Sequence, residues 1–204
     1  MKKILALILA FGCIFAFASC GILGLGTDQT PTEKETVANI QKAIDESAPV
    51  SASITVKFES LIGELNGSYD VSYNNDGSAT VDYSDERFNE FTLDSVQDEF
   101  KSVVSGNVTV SADGVLSEEI GGVASVEAVT FDIELKEEYF TSVSVANSVL
   151  RGTIKSENTF DALGVDIMYD VDLVVFTGNG RVTSIVISYE SENGPIEISA
   201  MYRY

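Results

Sequence analysis

Two periods divide the chain. Val37, Ile40 and Ile44 recur at helical spacing with Ala43 and Ala48 beside them, which predicts an amphipathic helix with one apolar stripe. Thr30-Pro31-Thr32-Glu33 reads as its start, with Thr30 as N-cap, Pro31 at the first helical position and Glu33 closing a capping box. Pro49 marks its end. From Ser51 onward the period is two. Ile54, Val56 and Phe58 alternate with polar residues, as do Tyr69, Val71 and Tyr73, then Ala79, Val81 and Tyr83. The same alternation predicts strands through Val129, Phe131, Ile133 and Leu135, and through Val165, Ile167, Tyr169, Val171, Leu173 and Val175. It ends with Ile185, Ile187 and Tyr189, then Ile196, Ile198, Ala200 and Tyr202. Such strands bury one face and wet the other, as antiparallel strands do.

Asp76-Gly77, Asp113-Gly114, Asn179-Gly180 and Asn193-Gly194 mark hairpin turns, because Asn, Asp and Gly tolerate the backbone of tight turns. The count is roughly eight to ten strands joined as a meander. Asp85 to Phe100 mixes both periods, and Glu157 to Leu163 suits one short helical turn. The fold class expected is α+β: one N-terminal amphipathic helix on a large antiparallel sheet. A helix of ~16 residues is ~24 Å long, whereas nine strands span ~43 Å. One helix cannot cover that apolar face, so the sheet must curve around it, close, or bury the remainder on a partner or ligand.

Before the helix the chain changes character. Met1-Lys2-Lys3 is a short basic start, Ile4 to Ala18 is almost wholly apolar, and small residues precede Cys20. That is the layout of a secretory signal peptide, and it is too short for a membrane span. Phe17-Ala18-Ser19-Cys20 resembles the lipobox of bacterial lipoproteins, with Phe17 where an aliphatic residue is usual. The resemblance implies cleavage before Cys20 and lipidation of its sulfur. Residues 1–19 are then the signal, 20–29 a glycine-containing tether, and 30–204 a single domain. Removal of 19 residues from 204 leaves 185 and discards Cys13, so the exported chain keeps one thiol and no disulfide. The expected location is the cell envelope, outside the cytoplasm, anchored to the membrane through the lipid.

Charge narrows the chemistry. The net charge is −20, from 32 Asp and Glu against 12 Lys and Arg. Loss of Lys2 and Lys3 with the signal leaves 10 basic residues and −22. Nucleic acid is excluded as a partner, and the protein face repels anionic lipid headgroups. There is no His, which removes the Ser-His and Cys-His dyads and most zinc chemistry. No lysine has a serine three residues before it, and no phosphate-binding glycine loop or metal-ligand cluster occurs. No catalytic residue, metal or cofactor is expected.

Asp166, Asp170 and Asp172, and Asp132 with Glu134, alternate on the polar side of their strands. They could serve a glycosidase as acid and base or hold calcium, but a solvated sheet face accounts for them. Asn74-Asn75-Asp76-Gly77 suits a hairpin better than a calcium loop, since Ser72 stands where the first Asp belongs. Tyr69, Tyr73, Tyr83, Tyr169, Tyr189 and Tyr202 add amphipathic rings to the apolar face and are candidate ligand contacts. Signal, lipobox, helix and long meander in that order resemble the periplasmic lipoprotein carriers and mycobacterial lipid-binding lipoproteins. That resemblance implies a half-barrel holding acyl chains against the helix. The function expected is a non-catalytic binding module for a lipid or other apolar ligand. The alternative is a surface interaction or structural lipoprotein with a fully packed core and a protein or glycan partner.

Overall fold

The structure is a computed structural model, and it describes residues 35–61, 63–89, 101–111 and 133–204. Contacts divide the chain after Lys34, and Glu35–Tyr204 forms one unit. The signal peptide, Cys20, the tether and the predicted cap at Thr30 lie outside the described residues, as do Asp132 and the Asp113-Gly114 turn.

The unit is dominated by one nine-stranded antiparallel sheet: β1 (Ser51–Ser60), β2 (Gly63–Tyr73), β3 (Ala79–Phe88), β4 (Lys101–Val110), β5 (Phe140–Ala146), β6 (Val149–Ile154), β7 (Val171–Gly178), β8 (Arg181–Ser191) and β9 (Gly194–Arg203). Their order is β4-β3-β2-β1-β9-β8-β7-β6-β5. Two meanders meet where β1 pairs with β9, so the first and last strands are central neighbours and, among the described residues, the edges are β4 and β5.

Register fixes which side chains share a face. Tyr83 lies opposite Tyr69, Tyr69 opposite Ile54, Ile54 opposite Ala200, Ala200 opposite Ile185, Ile185 opposite Val175 and Val175 opposite Leu150. Residues directly opposite in an antiparallel ladder project to the same side. One apolar row therefore runs across the sheet. Its members bury in two clusters. Ala52, Ile54, Val56, Tyr69, Val71, Val81 and Val108 form one, and Leu150, Ile154, Leu173, Val175 and Ile185 with the helix form the other. Tyr202 packs against both.

Helix α1 (Val37–Asp45) buries Val37, Ile40, Ala43 and Ile44 and packs on β7 and β8. Its N-cap is Thr36, whose side chain and that of Asn39 satisfy each other's backbone N–H groups. The stripe thus starts at its own cap, six residues after the one expected at Thr30, and ends at Asp45, short of Ala48 and Pro49. The Ser47 hydroxyl donates to the Ala43 carbonyl and accepts from the Val182 N–H at 3.0 Å, pinning the helix end to β8. At the other end the Glu35 carboxylate accepts the Ser148 N–H at 2.9 and 3.1 Å. Asn147 and Ser148 form the β5–β6 turn with φ of 52° and 61°, a primed turn without glycine.

Two predicted strands are corrected. Ile133 to Leu135 belongs to no strand, while Val129 and Phe131 lie outside the described residues. The Gln41 side chain takes the place of a neighbouring strand: its Nε2 donates to the Ile133 carbonyl at 3.1 Å and its Oε1 accepts the Leu135 N–H at 2.6 Å. The strand expected from Val165 to Val175 begins only at Val171. Before it, the chain makes a 3-10 turn (Ser156–Asn158), the short helix α2 (Thr159–Leu163) foreseen from Glu157 to Leu163, and an irregular segment to Asp170. The buried Thr159 hydroxyl holds that segment, donating to the Ile167 carbonyl and accepting its N–H at 2.9 Å. Asp85 to Phe88 completes β3.

The turn expected at Asn193-Gly194 is also corrected. Ser191 pairs with Gly194, so Glu192 and Asn193 form the turn and Gly194 opens β9. Its φ is +133°, and a Cβ there would collide with the Glu59 carbonyl oxygen of β1. Glycine at 194 serves close strand approach rather than turn geometry. Asn179-Gly180 does form the expected tight turn, with φ of 54° and 75°.

Candidate functional site: an apolar cleft at the sheet seam

A cleft of about 750 Å³ opens on the apolar face where β1, β9 and β8 meet. Ile185, Ile187, Tyr189, Ile196, Ile198, Ala200 and Tyr202 form its floor. Phe58 and Leu65 close one side, and Leu163 to Tyr169 with Ile133 form the opposite wall. The wall comes from the two segments expected as strands. Had Ile133 and residues 165–170 paired into the sheet, they would lie in its plane and not stand over its face.

Most lining side chains are aliphatic or aromatic, as in sites that take small lipophilic molecules. Asp166 and Glu192 line the cleft, and no Lys or Arg does. Tyr169 stacks on Tyr189 with ring centroids 6.2 Å apart and planes 15° from parallel. The Tyr169 hydroxyl accepts the Glu192 N–H at 3.1 Å, tying the wall to the β8–β9 turn. Burial pushes the Tyr189 phenol above its ordinary pKa, and Tyr169 adds to the shift. Burial does the same to Tyr202, with smaller contributions from Tyr73 and Tyr204. These phenols are neutral hydrogen-bonding groups at physiological pH.

The six candidate tyrosines separate. Tyr169, Tyr189 and Tyr202 line the cleft. Tyr69, Tyr73 and Tyr83 belong to the other core cluster and are not part of the cleft lining. Tyr69 is buried, and its hydroxyl donates to Asp85 Oδ1 at 2.5 Å.

The candidate carboxylates do not share a strand face. Asp166 and Asp170 precede β7. Asp170 accepts the Ser156 N–H at 2.9 Å, and Asp172 accepts the Thr153 hydroxyl at 2.7 Å. Glu134 pairs with Lys136 at 2.7 Å. Asp76 accepts the Ser78 hydroxyl and N–H, and these bonds lower its pKa as expected of a turn carboxylate. Among the described residues no group of three or more acidic or thiol side chains is placed to hold a metal ion.

One residue of interest went unnoticed in the alternation. Asp85 shares the apolar face with Ala79, Val81 and Tyr83, is fully buried, and among the described residues leaves Oδ2 without a hydrogen-bond partner. A carboxylate at an apolar position of the two-residue period was the available signal.

No family model matches the chain, and no curated protein matches it. Among solved structures it aligns with the dehydratase domain from the CurF module of curacin polyketide synthase. That alignment has 9% identity and a TM-score of 0.20, covering 82% of this chain and 79% of that one. Likeness at that level leaves both fold family and function open. Among the described residues no helix is long and apolar enough to cross a membrane.

Proposed function

We propose that the protein is an exported, lipid-anchored, non-catalytic binding module whose sheet curves as a half-barrel and holds a lipid or other apolar ligand in the cleft. The observation that carries this reading is the cleft itself. Its volume of about 750 Å³ lies within the ~300–1,000 Å³ usual for small-molecule sites. The lining is mostly aliphatic and aromatic, and its polar groups are the phenols, two carboxylates, Ser191 and Asn193. An apolar hollow of that size is costly to leave to water and is stabilised by an apolar occupant. Attachment follows from the lipobox resemblance, with the Cys20 sulfur as the acylated atom and the membrane as partner.

The test is native mass spectrometry and solvent extraction of the full chain purified from a bacterial host. A bound lipid near one per chain is expected, reduced at least fivefold in Ile198→Trp, which fills the cleft floor. An empty wild-type protein, or equal lipid in both, refutes the reading and favours a surface protein with a protein or glycan partner. Fractionation of Cys20→Ala checks the anchor separately, with loss of the acyl mass and release from the membrane expected.

A further inference from the structure

The cleft stops at Leu65 and Phe58, and near Leu65 the otherwise apolar face of the sheet carries one buried carboxylate, Asp85. On β2 the next residue of that face is Gly67, opposite Asp85 on β3. A Cβ at Gly67 would overlap Asp85 Oδ1 and press on the Tyr69 ring, so both side chains lie across the glycine. Gly67 in turn faces Val56 of β1, and Val56 faces Ile198 in the cleft floor. Asp85 thus lies on β3, with β2 and β1 between it and that floor strand, β9. Its Oδ1 is taken by the Tyr69 hydroxyl and, among the described residues, its Oδ2 by nothing. Arg87 is two residues further along β3, on the same face, and its buried Nε also lacks a partner among the described residues.

An unpartnered acceptor and an unpartnered donor, both buried, keep the full cost of their lost hydration, more where charged. Natural proteins keep such pairs where something else completes them. We propose that Asp85 and Arg87 bind the polar head of the cleft's ligand, and that this head carries vicinal hydroxyls, as a glycerol or a sugar does. This inference rests on the cleft holding an amphiphile. Residues two apart on a strand are roughly 6.6 Å apart at Cα, so neighbouring hydroxyls can span their side-chain tips. One hydroxyl donates to Asp85 Oδ2 and the next accepts from Arg87 Nε–H, which leaves neither atom unpaired. A phosphate or carboxylate head would satisfy Arg87 but offers no donor to Asp85. It would also have to pass Asp166 and Glu192 in a cleft without a basic residue.

The experiment compares two esters with one tail, 1-decanoylglycerol and methyl decanoate, titrated calorimetrically into the full chain. The glycerol ester is expected to bind at least tenfold more tightly. In Asp85→Asn that preference falls below about threefold, while methyl decanoate affinity stays within twofold of wild type. Arg87→Met, on a partly exposed side chain, is the second variant and gives the same loss. Methyl decanoate binding with no preference for the glycerol ester overturns the inference alone. Binding of neither ester overturns the cleft reading and the inference with it. A preference that survives in both folded variants assigns the head to other residues and overturns the role of Asp85 and Arg87.

Discussion

Gln41 holds one cleft wall, and replacing it with methionine isolates that role. Methionine has nearly the same length and helix propensity as glutamine, so α1 itself is not perturbed. The substitution removes the 2.6 Å bond to the Leu135 N–H and the 3.1 Å bond to the Ile133 carbonyl. Each hydrogen bond contributes about 0.5–1.5 kcal/mol net, and a partly buried group left unpaired costs about 1–3 kcal/mol. The expected loss is therefore about 2–4 kcal/mol. With a urea dependence of about 2 kcal/mol/M, the midpoint falls by about 1–2 M. Gln41 Nε2 also contacts Asp45 Oδ1 at 2.7 Å, so Asp45→Ala is the control. That exposed contact is worth little, and an acidic residue in the last helical turn is unfavourable to begin with. Asp45→Ala is expected within about 0.5 kcal/mol of wild type. Because Ile133 lines the cleft, Gln41→Met also weakens binding of an apolar probe, and Asp45→Ala does not. A Gln41→Met midpoint indistinguishable from wild type would refute the claim that a side-chain amide substitutes for a strand.

Gly194→Ala combines a positive φ with collision against the Glu59 carbonyl and is expected to cost more than about 3 kcal/mol. Gly180→Ala, also at positive φ but with open space around it, costs about 1–2 kcal/mol by the same urea assay. Burial raises the Tyr73 phenol to about 12, from an ordinary 10. The folded state therefore holds a proton that the unfolded chain releases, so stability is complete below pH 10 and declines as pH rises toward 12. Tyr73→Phe should flatten that decline in urea midpoints, and ordinary titration of Tyr73 near 10 would contradict it. Glu35→Ala should speed Ser148 amide exchange at least tenfold while leaving the Leu173 amide in β7 unchanged.

The parts legible in the sequence were those where one local signal had no competitor. Ile54–Phe58, Tyr69–Tyr73, Ala79–Tyr83, Ile185–Tyr189 and Ile196–Tyr202 alternate because each crosses the sheet with one face buried. Strands β4, β5 and β6 were not marked. Edge β4 is exposed along most of its length and carries Ser102, Ser105, Gly106 and Asn107, so burial imposes little pattern on it. Ile133–Leu135 and Val165–Tyr169 alternate without pairing into the sheet, because Gln41 and Thr159 supply hydrogen bonds that a neighbouring strand would otherwise make. The Thr36 cap carries no familiar capping-box sequence, because Asn39 stands where Glu or Gln is the usual partner. Tyr69, Tyr73, Tyr83, Tyr189 and Tyr202 share the apolar face while Tyr169 stands over it, and of the five only Tyr189 and Tyr202 reach the cleft. Lateral position depends on strand order, and no local pattern encodes that.

Strand order also places the cleft. The surplus of apolar face over what one helix can cover is a property of the whole sheet, yet the opening falls at β1, β9 and β8. Helix α1 sits on β7 and β8, pinned by Ser47 to Val182, and the wall segments reach only from that side. Phe58 and Ile196 are register partners, but they are separated by nearly the whole described chain. Closing so long a loop is entropically costly before contacts repay it. The β1–β9 ladder is accordingly expected to form late, and the cleft with it. Ligand bound across that seam would favour the closed ladder over an open one by mass action. Hydrogen exchange distinguishes this from uniform stabilisation: ligand should slow Ile198 and Val56 amides more than Val175 or Leu150. Equal slowing throughout would place the ligand's effect on the whole sheet and not on its seam.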